Sequence, residues 1–264
     1  MIGIFDSGSG GLSVLREILR ILPKEKYVYY SDNANCPYGE KSVEFIRNRA
    51  REITRLLISK GAQIIVVACN TATAAAIAVL REEFPVKFIG MEPAIKPAAL
   101  SSKTGVIGVL ATAGTLKASR YLNIKEMFGD GTKIAEHVGE GFVELVENGI
   151  LDGPEAEETV RKSVLPLVAA GADRIVLGCT HYPFLRKVIE RVAGPGVQVI
   201  DPAPAVARHL AEVMKQEGLL YHEYADVPAA AEIELIASGP ELPARRLLDT
   251  IISGHAGRQT ATKA

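Results

Sequence analysis

Cysteine is scarce in this sequence, and neither an excess of charge nor a long apolar run is present. The 264 residues hold three cysteines, at positions 36, 69 and 179; so small and odd a number argues for free thiols in a reducing compartment and against a disulfide framework. The net charge of −1 gives no signal for nucleic acid or an anionic membrane surface. No apolar run reaches the roughly 18 residues of a spanning helix, and no basic region precedes the first apolar residues. We therefore expect a soluble, cytoplasmic protein that binds neither nucleic acid nor membrane.

The sequence contains one pattern twice: a buried strand, a cysteine and a helix. The first copy is IIVVACNTATAAAIAVL at 64–80, and the second is RIVLGCTHYPFLRKVIERV at 174–192. A continuous apolar run followed by such a segment is typical of a parallel strand and the helix packed on it. Cys69 and Cys179 are therefore expected at the carboxyl ends of strands, where open α/β sheets bind ligands.

Each half of the chain also opens with a strand and a turn of small residues. IFDSGSGGLSVL near the start is matched by VIGVLATAGTL in the second half, so that Thr112 takes the place of Ser7. Glycines allow the backbone to approach a ligand closely, and a helix start offers free N–H groups to an anion. The first turn is not a dinucleotide fingerprint, because Ser13 stands where the third glycine is required, and no P-loop motif is present.

Strand and helix signals alternate along the chain, which predicts an α/β fold with two flavodoxin-like parallel-sheet domains related by pseudo-twofold symmetry. The first domain is expected to comprise residues 1–93 plus 207–264, because the strand predicted at 232–237 needs a sheet partner. The second would comprise residues 94–206. No long linker separates the halves, so the active site should lie in the cleft between them.

A thiol is an effective base or nucleophile only as the thiolate. We expect both Cys69 and Cys179 to begin a helix, where the positive end of the helix dipole would lower the pKa of each thiol. His181, two residues after Cys179, could serve that thiol as a donor or charge partner, and Asp6 could do the same for Cys69.

Several roles are open to such a pair of cysteines. Each could be a small buried hydrophobe, although the repeated pattern argues against coincidence. A metal site would use Cys69, Cys179 and His181, but the Cys-x-His spacing lacks the usual ligand intervals. A disulfide would conflict with a reducing compartment, and a thiol hydrolase needs only one nucleophile.

Proton transfer at a carbon from opposite faces does need two thiols, one on each side of a cleft. One thiolate removes the proton and the other thiol returns one, so that the configuration inverts. Each sulfur should approach the carbon to roughly 3–3.5 Å, which would place the two sulfurs about 6–8 Å apart.

At these residues the chain resembles the glutamate racemases, cofactor-independent enzymes of bacterial cell-wall synthesis. The resemblance covers nearly the whole chain and is carried, in order, by IFDSGSGGLSVL, DNANCPYG, VVACNTATA, GVIGVLAT, LVENG and GCTHYP. It implies an isomerase that interconverts L- and D-glutamate without pyridoxal phosphate or metal and supplies D-glutamate for peptidoglycan. Because the family is commonly dimeric, it also implies a homodimer.

The resemblance further implies a role for individual residues. Cys69 would act as the base toward D-glutamate and Cys179 toward L-glutamate, with Asp6, Glu147 and His181 assisting the thiols. Substrate contacts would come from Asp6, Ser7, Tyr38, Gly39, Asn70, Thr71, Thr180 and His181. Hydroxyl, amide and N–H donors suit a substrate with two carboxylates, and Asp6 could accept from its ammonium.

The chain departs from the family pattern in two places. Residues 32–36 read DNANC where Asp-Thr-Ala-Arg is usual, and Gly-Glu-Gly at 139–141 replaces a Cys-Pro-rich lead before LVENG. The second departure bears on Glu147, whose alternative is a solvated residue in a short helix at 142–147. For the chain as a whole, the alternatives are a racemase of aspartate or another amino acid, and a ligand-binding protein without activity.

Overall fold

Strands and helices alternate along the chain in a computed structural model that describes residues 1–128, 131–220 and 231–261. The strands of this part are β1 (Ile2–Asp6), β2 (Lys26–Ser31), β3 (Ile64–Val67), β4 (Lys87–Gly90), β5 (Val106–Ala111), β6 (Lys133–Val138), β7 (Arg174–Gly178), β8 (Gln198–Ile200) and β9 (Glu232–Ala237). The helices are α1 (Leu12–Ile21), α2 (Val43–Ser59), α3 (Asn70–Glu83), α4 (Ile95–Ser101), α5 (Ala113–Lys117), α6 (Ser119–Phe128), α7 (Phe142–Glu147), α8 (Pro154–Ala169), α9 (Arg186–Ala193), α10 (Ala203–Gln216) and α11 (Leu242–Ala261).

The strands form two parallel sheets that repeat one topology. The first sheet has the order β4-β3-β1-β2-β9 and the second has the order β6-β5-β7-β8. In each sheet the second strand lies on one side of the first strand, and the third strand lies on its other side. The strand order therefore switches between β1 and β3 in the first sheet and between β5 and β7 in the second. Such a switch point leaves a crevice at the carboxyl ends of the strands, and both cysteines follow a strand that flanks one.

The predicted α/β fold with two flavodoxin-like parallel sheets is confirmed. β9 pairs in parallel with β2, from Lys26 beside Glu232 to Ser31 beside Ala237, so the end of the chain lies in the first sheet. The domain limits of 1–93 plus 207–264 and 94–206 stay a prediction. Within the described ranges, no helix is both long and apolar enough to cross a membrane.

The central strands form because their side chains are buried on both faces. Every residue of β1 and β3 is buried, and only Arg174 at the start of β7 is partly exposed. The helices that follow have ordinary start signals: the Ser42 hydroxyl accepts from the Phe45 amide at 3.2 Å ahead of α2, and Pro154 begins α8.

The two lobes share a core and are joined by buried polar contacts. One apolar cluster includes Leu12 and Leu15 of α1 together with Phe142 of α7 and Leu177 of β7. The Ser13 hydroxyl donates to the Thr180 carbonyl at 2.8 Å across the interface. This packing fixes the turn after β1 against the turn after β7, which is where the predicted site residues lie.

Candidate active site

Both cysteines line one small cavity between the lobes. Its walls are formed by residues from both sheets: Ser7, Pro37, Tyr38, Gly39, Cys69, Asn70, Thr71, Thr112, Val143, Cys179, Thr180 and His181. The cavity leaves about 10 Å³ for the centre of a water-sized sphere, which is room for about one water molecule. The cleft is therefore closed in this structure, with the two thiols facing the same enclosed space.

Cys69 stands at the start of α3, as predicted. Its sulfur accepts from the Ala72 amide at 3.4 Å and lies 3.8 Å from the Ser7 hydroxyl. The expected lowering of its pKa is wrong. Burial, followed by the charge of Asp6, raises the pKa of the Cys69 thiol well above its usual range, and the Ala72 amide and Ser7 offset this only in part. Cys69 at rest is a thiol and a proton donor.

Cys179 follows β7 but does not begin an α-helix, which corrects the second half of that prediction. The residues after it form a 3-10 turn at Tyr182–Leu185, and α9 starts only at Arg186. Its nearest polar partner is instead His181, whose Nδ1 lies 3.8 Å from the Cys179 sulfur. The polar side chain beside Cys179 is therefore an imidazole, and no α-helix begins at this residue.

His181 is held by Glu147 on its other side. Its Nε2 lies 2.7 Å from Glu147 Oε1, and this carboxylate also accepts from the Ser9 amide at 2.6 Å and the Ser9 hydroxyl at 2.9 Å. Burial alone would lower the pKa of His181, but its bonds to Cys179, Cys36 and Glu147 raise it well above the usual range. Burial alone would raise the pKa of Glu147, but the bonds from His181 and Ser9 lower it below its usual value. The pair is an imidazolium and a carboxylate, and the imidazolium stabilises negative charge on the Cys179 sulfur.

Asp6 ends β1 on the Cys69 side of the cavity and is fully buried. One of its carboxylate oxygens accepts from the Gly11 amide at 2.7 Å and from Thr180 Oγ1 at 3.4 Å. Burial raises the pKa of Asp6, and the charge of His181 and the Gly11 amide offset part of that rise. The negative charge of Asp6 therefore favours the protonated thiol of Cys69, whereas His181 beside Cys179 is a positively charged neighbour.

The glycines of the DSGSGG turn were expected to let a ligand approach the backbone. In the structure, side chains of the second lobe occupy the space beside Gly8 and Gly10. A Cβ at Gly8 would lie 2.3 Å from Glu147 Oε1, and a Cβ at Gly10 would lie 2.3 Å from His181 Nδ1. Such distances are essentially never found for real Cβ atoms. The two glycines thus let the Glu147–His181 pair reach the cavity from the other lobe.

Hydrogen-bonding side chains surround the thiols. Asn70 is 4% exposed, and neither its amide nitrogen nor its carbonyl oxygen has a partner within the described residues. Buried polar groups are normally satisfied, so an orphan amide on a cavity wall points to a ligand there. Ser7, Thr71 and Thr180 lie on the same walls.

Tyr38 and Gly39 lie on the cavity wall through a short turn of the first lobe. The Tyr38 hydroxyl donates to Asp32, which also forms an ion pair with Arg49 at 2.7 Å, so this hydroxyl already has a partner in its own lobe. Burial would raise the pKa of Asp32, but the bonds from Arg49 and Tyr38 keep it lowered. Gly39 touches the second lobe, because a Cβ there would lie 3.1 Å from Thr112 Cβ.

Several residues of this region were not predicted from the sequence, among them Thr112, Ser9 and Cys36. Thr112 lines the cavity and lies 3.0 Å from Thr71, hydroxyl to hydroxyl, across the cleft; its match to Ser7 in the repeat was the available signal. Ser9 holds Glu147, and Cys36 lies beside His181 and Glu147. No local pattern marks these two, because their partners are more than 100 residues away.

The unusual Gly-Glu-Gly lead at 139–141 builds the start of α7. Gly141 has a left-handed φ of +78°, and a Cβ at Gly139 would lie 2.5 Å from the Tyr182 hydroxyl. These glycines let α7 begin where it packs on the turn after Cys179. The departure therefore does not displace Glu147, which is a partly buried ion-pair partner of His181 with 19% of its side chain exposed.

Two larger cavities adjoin the interface of the lobes. One of about 430 Å³ shares Gly39 and Thr71 with the thiol cavity and carries the cations Lys41, Arg47 and Lys117 on its walls. Another of about 770 Å³ lies along the connecting segments near Pro93 and Pro202 and contains neither thiol. The cavity near Pro93 and Pro202 is the larger of the two, but it shares no residue with the thiol cavity. The cavity of about 430 Å³ is therefore the one that adjoins the candidate active site.

Comparisons with known proteins agree with this geometry. Residues 2–210 match the family model described as Asp/Glu/Hydantoin racemase. A glutamate racemase from Methylococcus capsulatus is 47% identical over 254 residues, which cover 96% of this chain and 92% of that protein. Among solved structures, a glutamate racemase isoform from Bacillus anthracis is similar with a TM-score of 0.84 and 33% identity, covering 96% of this chain and 94% of that one. Escherichia coli glutamate racemase, solved with L-glutamate and the activator UDP-MurNAc-Ala, gives a TM-score of 0.82 and 34% identity, covering 95% and 94%.

Proposed function

This chain belongs to the Asp/Glu/hydantoin racemase family, and we propose that within it the protein interconverts L- and D-glutamate through two thiols. The observation that carries the proposal is that Cys69 and Cys179, from two sheets of the same topology, line one enclosed cavity. A single-nucleophile hydrolase would not require the second thiol. In a bacterial cell the product D-glutamate would supply peptidoglycan synthesis.

The reaction moves one proton off Cα and another one on. With the thiolate on Cys179 and the thiol on Cys69, Cys179 takes the Cα proton of L-glutamate and the pair of electrons stays on Cα. Cys69 then donates its proton to the opposite face, which gives D-glutamate and leaves the thiolate on Cys69. The reverse direction starts from that state, with Cys69 as the base toward D-glutamate. Proton exchange with solvent resets the pair.

The surroundings of the two sulfurs support these starting states. The imidazolium of His181, held by Glu147, stabilises the thiolate of Cys179, and Asp6 together with burial keeps Cys69 protonated. Asp6, Glu147 and His181 therefore assist the thiols without taking the Cα proton themselves. A general acid or base that itself transfers the proton, as each thiol does here, typically contributes about 10²–10⁴-fold to a rate.

The polar walls suit the charges of glutamate. Asn70 can donate to a carboxylate oxygen through its unpartnered amide, and Ser7, Thr71 and Thr180 offer hydroxyl donors close by. Negative charge develops on the α-carboxylate as Cα loses its proton, so donors fixed in place stabilise the transition state more than the substrate. Asp6 is the acceptor that the resemblance assigns to the ammonium group, although the structure does not place it on the cavity wall.

Substrate must enter through an opening of the cleft, because the closed cavity has room for about one water molecule. The neighbouring cavity with Lys41, Arg47 and Lys117 supports an access route that attracts a dicarboxylate. Closure afterwards excludes water and strengthens the electrostatic effects of the fixed donors. We expect saturation with glutamate to increase amide hydrogen-exchange protection at the turn containing Gly39.

The test is racemisation of each enantiomer of glutamate and of aspartate, followed by circular dichroism, in wild type, Cys69→Ala and Cys179→Ala. We expect glutamate to be converted, and each variant to lose at least 10²-fold in kcat, the lower end for an acid or base group. Faster conversion of aspartate would transfer the proposal to that substrate, and near wild-type rates in either variant would refute the two-thiol chemistry. The homodimer implied by the resemblance stays a prediction.

A further inference from the structure

Cys36 is a third thiol that the proposed reaction does not use. It is not on the wall of the thiol cavity, yet its sulfur, a carboxylate oxygen of Glu147 and a ring nitrogen of His181 all lie within 4.8 Å of one another. Cys36 and Glu147 are partly exposed, whereas His181 is buried.

The backbone around this group leaves room for the three side chains to converge. A Cβ at Gly8 would lie 2.3 Å from Glu147 Oε1 and 2.9 Å from the Cys36 sulfur. Glycine at this position therefore allows the carboxylate and the thiol to approach each other over the turn after β1.

The ligand set has the chemistry of a zinc site. Thiolate, imidazole and carboxylate are the three side-chain ligands that Zn²⁺ takes, with bonds of roughly 2.0–2.3 Å. Tetrahedral bonds of this length place ligand atoms about 3.3–3.8 Å apart, so separations within 4.8 Å call for side-chain adjustments of about 1 Å. Magnesium and calcium prefer sets made of oxygen only.

We propose that Cys36, Glu147 and His181 form an inhibitory site for Zn²⁺ or a similar thiophilic divalent ion. Binding displaces protons from Cys36 and His181 to solvent, and the metal takes the place of the hydrogen bond between His181 and Glu147. His181 then no longer carries the positive charge that stabilises the Cys179 thiolate, and the two charges of the ion are balanced by the Cys36 thiolate and the Glu147 carboxylate that bind it. The inhibitory effect rests on the proposed racemase function, whereas the metal site itself does not.

Binding is tested with Co²⁺ as a spectroscopic probe, added to metal-free full-length protein. We expect a thiolate-to-cobalt charge-transfer band that Zn²⁺ displaces and Mg²⁺ does not. Cys36→Ser should abolish the band and weaken Zn²⁺ binding by at least about 10–100-fold, since even a residue that only supports a ligand contributes that much. Cys69→Ser and Cys179→Ser are matched controls that should keep the band, and far-UV circular dichroism verifies that each variant is folded.

Inhibition is tested on the same samples. Zn²⁺ should inhibit glutamate racemisation by wild type, and a chelator should restore it. Folded Cys36→Ser, compared with its own rate in the absence of metal, should resist inhibition. A cobalt band that persists in Cys36→Ser, or that is lost in Cys69→Ser or Cys179→Ser, overturns the proposed site. A Cys36-dependent band in a protein without racemase activity would refute the proposed function and leave the site standing. Racemisation of glutamate without any cobalt band would refute the metal site and leave the proposed function standing.

Discussion

Replacing Gly10 by alanine should disable the site without touching any group that reacts. The new Cβ would lie 2.3 Å from His181 Nδ1 and 2.7 Å from the ring atoms Cγ and Cε1, where ordinary van der Waals contact starts at 3.4 Å. The imidazole must therefore move by about 1 Å. Gly10 does not have a left-handed backbone conformation, so alanine causes no backbone strain there. The steric clash is with the His181 ring.

A ring displaced by that amount loses its position toward both partners. Nε2 is held at 2.7 Å from Glu147, and Nδ1 is 3.8 Å from the Cys179 sulfur. A misplacement of about 1 Å near reacting groups can cost about 10²-fold in rate, or roughly 2.7 kcal/mol of transition-state stabilisation. Overpacking should cost about 1–3 kcal/mol of folding free energy.

The assay is glutamate racemisation by circular dichroism in both directions, with urea unfolding for stability. Because the two enantiomers have equal free energy, kcat/KM must fall by the same factor in both directions. Gly196→Ala is the matched control, since a Cβ there meets nothing within 4 Å, and we expect it to be unchanged in activity. A folded Gly10→Ala protein with near wild-type kcat would refute the role given to His181.

Two further predictions concern the same interface. Glu147 raises the pKa of His181, so Glu147→Gln should lower that pKa and move the alkaline limb of the kcat profile to lower pH. The stability that protonated His181 contributes is complete below the ordinary histidine pKa of about 6.5 and is lost as pH rises through the raised value, so thermal unfolding against pH should show the same shift; an unmoved limb would contradict the pairing. Gly114→Ala would place a Cβ 2.9 Å from the Gly39 carbonyl oxygen across the mouth of the cleft, so KM for glutamate should rise by about 10-fold or more while Gly196→Ala does not change it. An unchanged KM would mean that the lobes need not close at this contact.

The repeated sequence pattern predicted the overall fold and the placement of Cys69 and Cys179. Strand, turn and helix signals are local, and equivalent strand ends meet because the topology repeats. His181 and Asp6 could be assigned to their thiols because each lies near the end of one of these strands.

Other features depend on contacts between distant segments and could not be read locally. The need for glycine at positions 8 and 10 follows only from the fold, which packs Glu147 and His181 against them. The helix-start argument gave the wrong direction for the pKa of Cys69, because burial and Asp6 outweigh the Ala72 amide. Cys36 had no signal of its own, and its partners come from α7 and the turn after β7.

Racemisation by two thiols requires that separate sulfurs remove and return the proton. The direct measurement is the hydrogen isotope at Cα during the first turnovers in deuterated water, starting from protiated L-glutamate. If two thiols act on opposite faces, newly formed D-glutamate carries deuterium while the remaining L-glutamate is still protiated. An experiment that starts from protiated D-glutamate should give the same pattern with the enantiomers exchanged. Product that retains the original proton would contradict the account, because one group would then have carried that proton from face to face.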